Sequence, residues 1–132
     1  MKKLNFADGT KEYELPNGNT LRFVPSDINI ITRYNEMRPK LEANESEYSE
    51  IESDENKLAA LDTETREIIN YIFGADVCTP AFGGTHCMTP VNGGFLAFGL
   101  MNVLLEEVNE AVHKEGDKMK KNISKYTNQL PK

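Results

Sequence analysis

An apolar stripe at alternating spacings of four and three runs through Ile30, Tyr34, Met37, Leu41, Tyr48, Ile51 and Leu58. That spacing keeps side chains on one face of an α-helix, so this stretch must fold as an amphipathic helix and bury the stripe. The pattern lasts about eight turns. Pro25-Ser26-Asp27 opens it, with Ser26 or Asp27 free to cap the first N–H groups. Pro39 lies inside, and because the stripe keeps its phase across it, the sequence predicts a kink or two nearly continuous helices over about 27–60.

Before the stripe the period changes to two. Leu4 and Phe6, Tyr13 and Leu15, and Leu21 and Phe23 alternate with polar neighbours, and Asp8-Gly9 and Asn17-Gly18 punctuate them as turns. This predicts a β-hairpin over about 11–15 and 20–24, with 3–7 as a candidate third strand. A lone hairpin is marginal, so its apolar face must pack on the helices. After the stripe, Asp62-Thr63 suggests a new helix start, Ile68, Ile69, Ile72 and Phe73 its buried face, and Gly74 its stop.

Residues 74–94 form a long Gly/Pro-rich loop in this reading, with five glycines and two prolines among 21 residues. Cys78-Thr79-Pro80-Ala81-Phe82-Gly83-Gly84 is echoed by Met88-Thr89-Pro90-Val91-Asn92-Gly93-Gly94. A last helix follows over about 95–120. Phe98, Leu105, Val112 and Met119 recur every seven residues with Met101 and Val108 between them, a coiled-coil-like seam extended by Leu104 and Ala111. The expected fold is α+β: an N-terminal hairpin and a three- or four-helix body forming a single domain over 1–122. Residues 123–132 are expected to form a flexible basic tail.

Charge narrows the function classes. The net charge of −6 disfavours nucleic acid and anionic membrane as partners. No apolar run reaches the ~20 residues of a membrane span, and Met1-Lys2-Lys3-Leu4-Asn5 does not lead into a signal-peptide core. A cytoplasmic protein is expected. Residues 42–67 carry ten acidic groups against two basic ones, which reads as a solvated helix face or as a docking surface for a basic partner.

Chemistry is sparse. Cys78, His86 and Cys87 are zinc-ligand types, but Cys-x7-His-Cys lacks the paired short spacing of a structural site and needs a distant fourth ligand. Adjacent His86 and Cys87 need not face each other, and a nucleophile pair also requires an orienting third group. The Gly-Gly pairs lack a phosphate-loop lysine. No catalytic residue, cofactor or metal is expected, and the chain is expected to be non-enzymatic. Partner contact is instead expected at the stripe around Leu41, Tyr48 and Ile51, the acids Glu45, Glu47 and Glu52, and Phe82, Phe98 and Leu105.

The layout resembles small tail-assembly proteins of phages that infect Gram-positive bacteria. Gly18, Leu21, Phe23, Pro25, Ser26 and Asp27 before a long acidic helix carry the likeness, with Ile72-Phe73-Gly74 and then Phe95, Phe98 and Leu105. It spans residues 18–112, and the Thr-Pro-x-x-Gly-Gly doublet lies outside the family pattern. The resemblance implies a tail assembly chaperone or minor tail assembly factor, with a long helical tape-measure protein or a tail-tube subunit as partner. It implies no catalytic residues. Self-association is a further arrangement that the helical seams allow. The rival readings are a small acidic inhibitor competing for a basic protein surface, and a thiol or zinc enzyme using Cys78, His86 and Cys87.

Overall fold

The computed structural model describes residues 1–51 and 53–128, without the side chains of 123–128. Strand β1 (Lys11–Glu14) pairs antiparallel with β2 (Thr20–Phe23), with Tyr13 opposite Leu21 and Lys11 opposite Phe23. Gly18 turns the chain at φ 85° between them, a left-handed value that glycine adopts without strain. The expected third strand is absent. Residues 1–10 have no secondary structure, and Leu4 and Phe6 are 79% and 82% exposed. Alternation alone cannot make a strand when no neighbouring edge accepts its backbone bonds.

Helix α1 (Asn29–Ile51) opens where Asp27 Oδ1 accepts the Asn29 N–H at 3.0 Å. It runs unbroken through Pro39, which lies exposed, so the carbonyl freed by the ring faces the solvent side. The stripe does not continue as one helix to residue 60. α2 (Glu55–Phe73) starts earlier than Asp62, because Asp54 caps it by accepting the Asn56 and Lys57 N–H groups at 3.1 Å each. The chain reverses there, and α1 and α2 form an antiparallel pair. Asn44 meets Thr65, Lys40 meets Glu64, Glu36 meets Tyr71 and Arg33 meets the Ile72 carbonyl, stepping in opposite senses along the two helices. Gly74 closes α2 at φ 68°, as its sequence position predicts.

The Gly/Pro-rich stretch holds more order than a loop. It contains a short helix, α3 (Cys78–Phe82), and one rung of antiparallel hairpin, β3 (Pro90–Val91) with β4 (Gly94–Phe95). The two Thr-Pro echoes thus take different forms, one helical and one extended. α4 (Leu96–Asn128) completes the fold. Its backbone is helical to Asn128, which takes in part of the 123–132 segment expected as a tail. Residues 129–132 of that tail lie outside the described residues.

The core joins Leu21 and Phe23 of the hairpin to Ile30 and Leu41 of α1 and to Leu61, Ile69, Ile72 and Phe73 of α2. Cys87, Met88, Ala97, Met101, Leu104 and Val108 complete it. Fully burying each large aliphatic side chain contributes roughly 1.5–3 kcal/mol. Phe23 stands edge-on to Phe73 with ring centroids 5.7 Å apart, which locks the hairpin onto the end of α2. One polar group is left over in this core: Asn44 donates to Thr65 at 3.3 Å, but its buried Oδ1 has no partner. On α4 the buried seam is Ala97, Met101, Leu104, Val108 and Ala111; the last four lie on the expected seam, whereas its Phe98, Leu105 and Val112 are only half-buried and Ala97 was not part of it. Alanines at 97 and 111 let the helix approach closely, while Phe95 and Phe98 flank the contact. Met119 is exposed.

A candidate protein-binding groove

An open apolar groove of about 590 Å³ lies between the β1–β2 hairpin and the first half of α4. The hairpin contributes Tyr13, Leu15 and Leu21. α4 contributes Leu96, Gly99, Leu100 and Val103, at helical spacing on a flank beside its buried seam, together with Leu104, which belongs to the seam itself. Ala81, Phe82 and Val91 form the remaining wall. The turn of the hairpin is tied to that wall, since Asn17 and Asn19 both donate through Nδ2 to the Pro80 carbonyl, at 2.9 and 3.1 Å. Val103 is 57% exposed and Val91 45%, so these two apolar side chains face water, while Leu21, Phe82 and Leu104 are buried. Glu14 and Glu107 are its charged members, and neither forms an ion pair among the described residues. Burial raises the Tyr13 hydroxyl pKa above its ordinary value, and the neighbouring Glu107 carboxylate adds to the effect.

A smaller cleft of about 340 Å³ separates α1 from α4. Tyr34, Arg38, Leu41, Glu42, Glu45, Phe98, Met101 and Asn102 line it.

The residues expected to meet a partner divide sharply. Leu41 and Ile51 are buried in the chain's own core, and Tyr48 stands edge-on to Phe95 at 5.0 Å. Leu41 and Ile51 are thus used in the chain's own core, while Tyr34, Met37 and Tyr48 of the stripe stay half-buried. Phe98 and Leu105 are half-buried against the same core. Phe82 is largely buried, yet it lines the groove. Glu45 and Glu47 are exposed, while Glu52 lies outside the described residues. The sequence reading did not find Tyr13, Leu15, Leu21, Leu100 or Val103. A signal for them exists in Phe95–Leu105, eleven residues in which Asn102 is the one polar side chain, too many apolar groups for a single seam.

The Cys/His cluster has a structural use. Asp62, His86 and Cys87 bring their ligand-type atoms within 4.8 Å of one another, and Cys78 is not in the group. His86 Nδ1 accepts the Met88 N–H at 3.0 Å, and its Nε2 lies 2.7 Å from the Leu58 carbonyl, so the ring carries its proton on Nε2. No lone pair on the ring is left for a metal. Asp62 Oδ1 accepts from the Cys87 N–H and from Arg66, each at 2.9 Å. The thiols of Cys87 and Cys78 donate to the Asp62 and Arg66 carbonyls at 3.7 and 3.6 Å. Burial pushes the Cys78 thiol up to about 12 and raises Cys87 as well, the opposite of what a nucleophilic cysteine needs.

These contacts share one origin. Leu58, Asp62, Arg66 and Asn70 are spaced by four along α2, and each holds part of the 76–87 segment. Arg66 donates to the Gly83 and Thr85 carbonyls at 3.0 and 2.5 Å, and its guanidinium sits 5.5 Å from the Phe82 ring centre. Asn70 Oδ1 accepts the Val77 and Cys78 N–H groups at 2.9 and 3.1 Å. This strapping positions Phe82 in the groove wall. Burial would raise the Asp62 carboxyl, but its hydrogen bonds from Cys87 and Arg66 outweigh that and hold it below the ordinary carboxylate value.

No family model matches this chain, and neither a curated protein nor a solved structure does. Among the described residues no helix is long and apolar enough to cross a membrane.

Proposed function

We propose that the chain is a non-enzymatic protein-binding protein that acts as a phage tail assembly chaperone or minor tail assembly factor in the cytoplasm of the producing cell. It holds an apolar helical segment of its partner, a tape-measure protein or a tail-tube subunit, until assembly takes that segment over. The observation that carries this reading is the water-facing apolar groove between the hairpin and α4. An open, mostly apolar groove of this kind suits an amphipathic helix laid in by its apolar face. Its few polar lining groups give little to orient a small polar substrate. The layout likeness supplies the tail-assembly context.

The test is co-expression with a phage tape-measure protein and with a tail-tube protein. Co-purification should occur with the unaltered chain and be lost with Val103→Arg, a change on the exposed flank of α4. Retention of the partner by the Val103→Arg chain, or binding to neither protein, refutes the proposal.

One observation favours the acidic-inhibitor reading: Glu45, Glu47 and Glu50 on α1 are exposed and in no ion pair among the described residues. In that case Glu45→Lys with Glu47→Lys abolishes partner binding while Val103→Arg leaves it intact.

A further inference from the structure

We propose that, before a partner arrives, the groove is filled by the N-terminal arm of a second copy of this chain. Leu4 and Phe6 enter the apolar trough, and Lys2 and Lys3 face Glu14 and Glu107. The inference rests on the groove being a protein-binding site, as argued above, and adds what occupies it first.

The arm and the groove complement each other in chemistry. Residues 1–7 make no hydrogen bond to the body among the described residues, and Leu4 and Phe6 are almost fully exposed. In an extended chain, side chains two apart point the same way, so both can enter one trough while the intervening Asn5 faces out. The arm carries two lysines and no acid over residues 1–7, whereas the charged members of the groove are both carboxylates. Opposite charges at the edge of an apolar contact fix orientation and speed encounter. The β1–β2 sheet has only two strands, which leaves an outer edge open to strand addition.

Backbone direction favours a second copy over the arm's own groove. β1 begins at Lys11 opposite Phe23, at the end of the hairpin away from its turn. Gly9 then takes φ 82°, and the chain lies against Val24 and Ser26, so close that a Cβ on Gly9 would sit 3.1 Å from Val24 Cγ1. Asp8 Oδ1 accepts the Thr10 N–H at 2.9 Å and fixes that bend. The arm is thus led toward the start of α1 and away from the groove, whose near end is Tyr13 with Glu107 and whose Leu15, Pro16 and Asn17 lie at the opposite end of the hairpin.

Sedimentation equilibrium of the full chain over a concentration series tests this. Alongside it run a Leu4→Asp/Phe6→Asp arm variant and the Val103→Arg groove variant, each checked for unchanged helicity and melting. The full chain should associate reversibly, more weakly as salt is raised. Each variant alone should lose roughly tenfold or more in association constant. An equimolar mixture of the two should recover association, because one supplies an intact arm and the other an intact groove. A photo-crosslinker in place of Phe6 should capture α4 of another copy. A chain that stays monomeric, an arm variant that associates normally, or a crosslink confined to the arm's own chain overturns the inference. The arm variant should still bind the tail partner. Partner binding without self-association sinks this inference alone, and arm-dependent dimers that bind no tail protein sink the functional proposal alone.

Discussion

On α1, Glu42, Glu45, Glu47 and Glu50 point into water. On α2, Asp62, Arg66 and Asn70 point at the 76–87 segment and hold it in place. Both sets lie on an amphipathic helix and look alike as charged or polar positions between apolar ones. The difference is what lies opposite. α1 presents Glu47 and Glu50 to open water and Glu42 and Glu45 at the open cleft beside α4, all exposed, so each keeps its hydration and contributes little to stability. α2 faces a segment rich in glycine, whose backbone groups cannot all bond one another, and its side chains satisfy them. The same residue types act as solvation on one helix and as fasteners on the next.

Substitutions can break or sharpen that contrast. The largest effect is expected from Asp62→Ala, which strands the Cys87 N–H and one arm of Arg66 in a partly buried site. Urea unfolding should show a loss of about 2–3 kcal/mol. The same carboxyl sets a pH signature. Because its folded pKa is depressed, its contribution is present above the unfolded value of about 4 and is lost as pH falls through the folded value. Asp76, lowered mainly by the Thr79 N–H and helped by Asn70, adds in the same direction. Stability should therefore fall with acidification below about pH 4, and Asp62→Asn should flatten part of that slope. Unchanged acid unfolding in Asp62→Asn would mean the strap is not held by this group.

Arg66→Lys comes next. Lysine keeps the charge but lacks the planar fork that reaches Asp62, Gly83 and Thr85 together, and the cost should be about 1–2 kcal/mol by the same measurement. The smallest effect belongs to α1. Glu45→Lys with Glu47→Lys should change stability by less than about 0.5 kcal/mol per residue. A larger loss would show that the acidic face makes a structural contact after all.

The strap was half legible in the sequence. Asp62, Arg66 and Asn70 recur every four residues beside apolar Leu61, Ile68 and Ile69, which marks a polar ridge next to a buried one. Nothing local told that ridge apart from the acids of α1, because its partners lie at least six residues further along the chain. The helix break was available too, in Ser53-Asp54-Glu55, but the uninterrupted phase of the stripe masked it. A heptad pattern cannot distinguish one helix from two that reverse and pack face to face.

The groove was less legible still. The excess of apolar residues in Phe95–Leu105 signals a second covered or waiting face, yet periodicity put the lines through Phe98 and Leu105 and through Met101 and Leu104 on one seam. Two apolar lines one residue apart score alike, and the packing partner decides which is buried.

By itself the sequence determined the hairpin, the helical faces and the stop at Gly74, because period, turn chemistry and left-handed caps depend on residues within a few positions of each other. Only the tertiary structure decided which apolar lines were covered, why one Thr-Pro echo became helix and the other strand, and that a trough stayed open beside α4. Those outcomes depend on which distant surface arrives opposite each segment, and no local pattern carries that information.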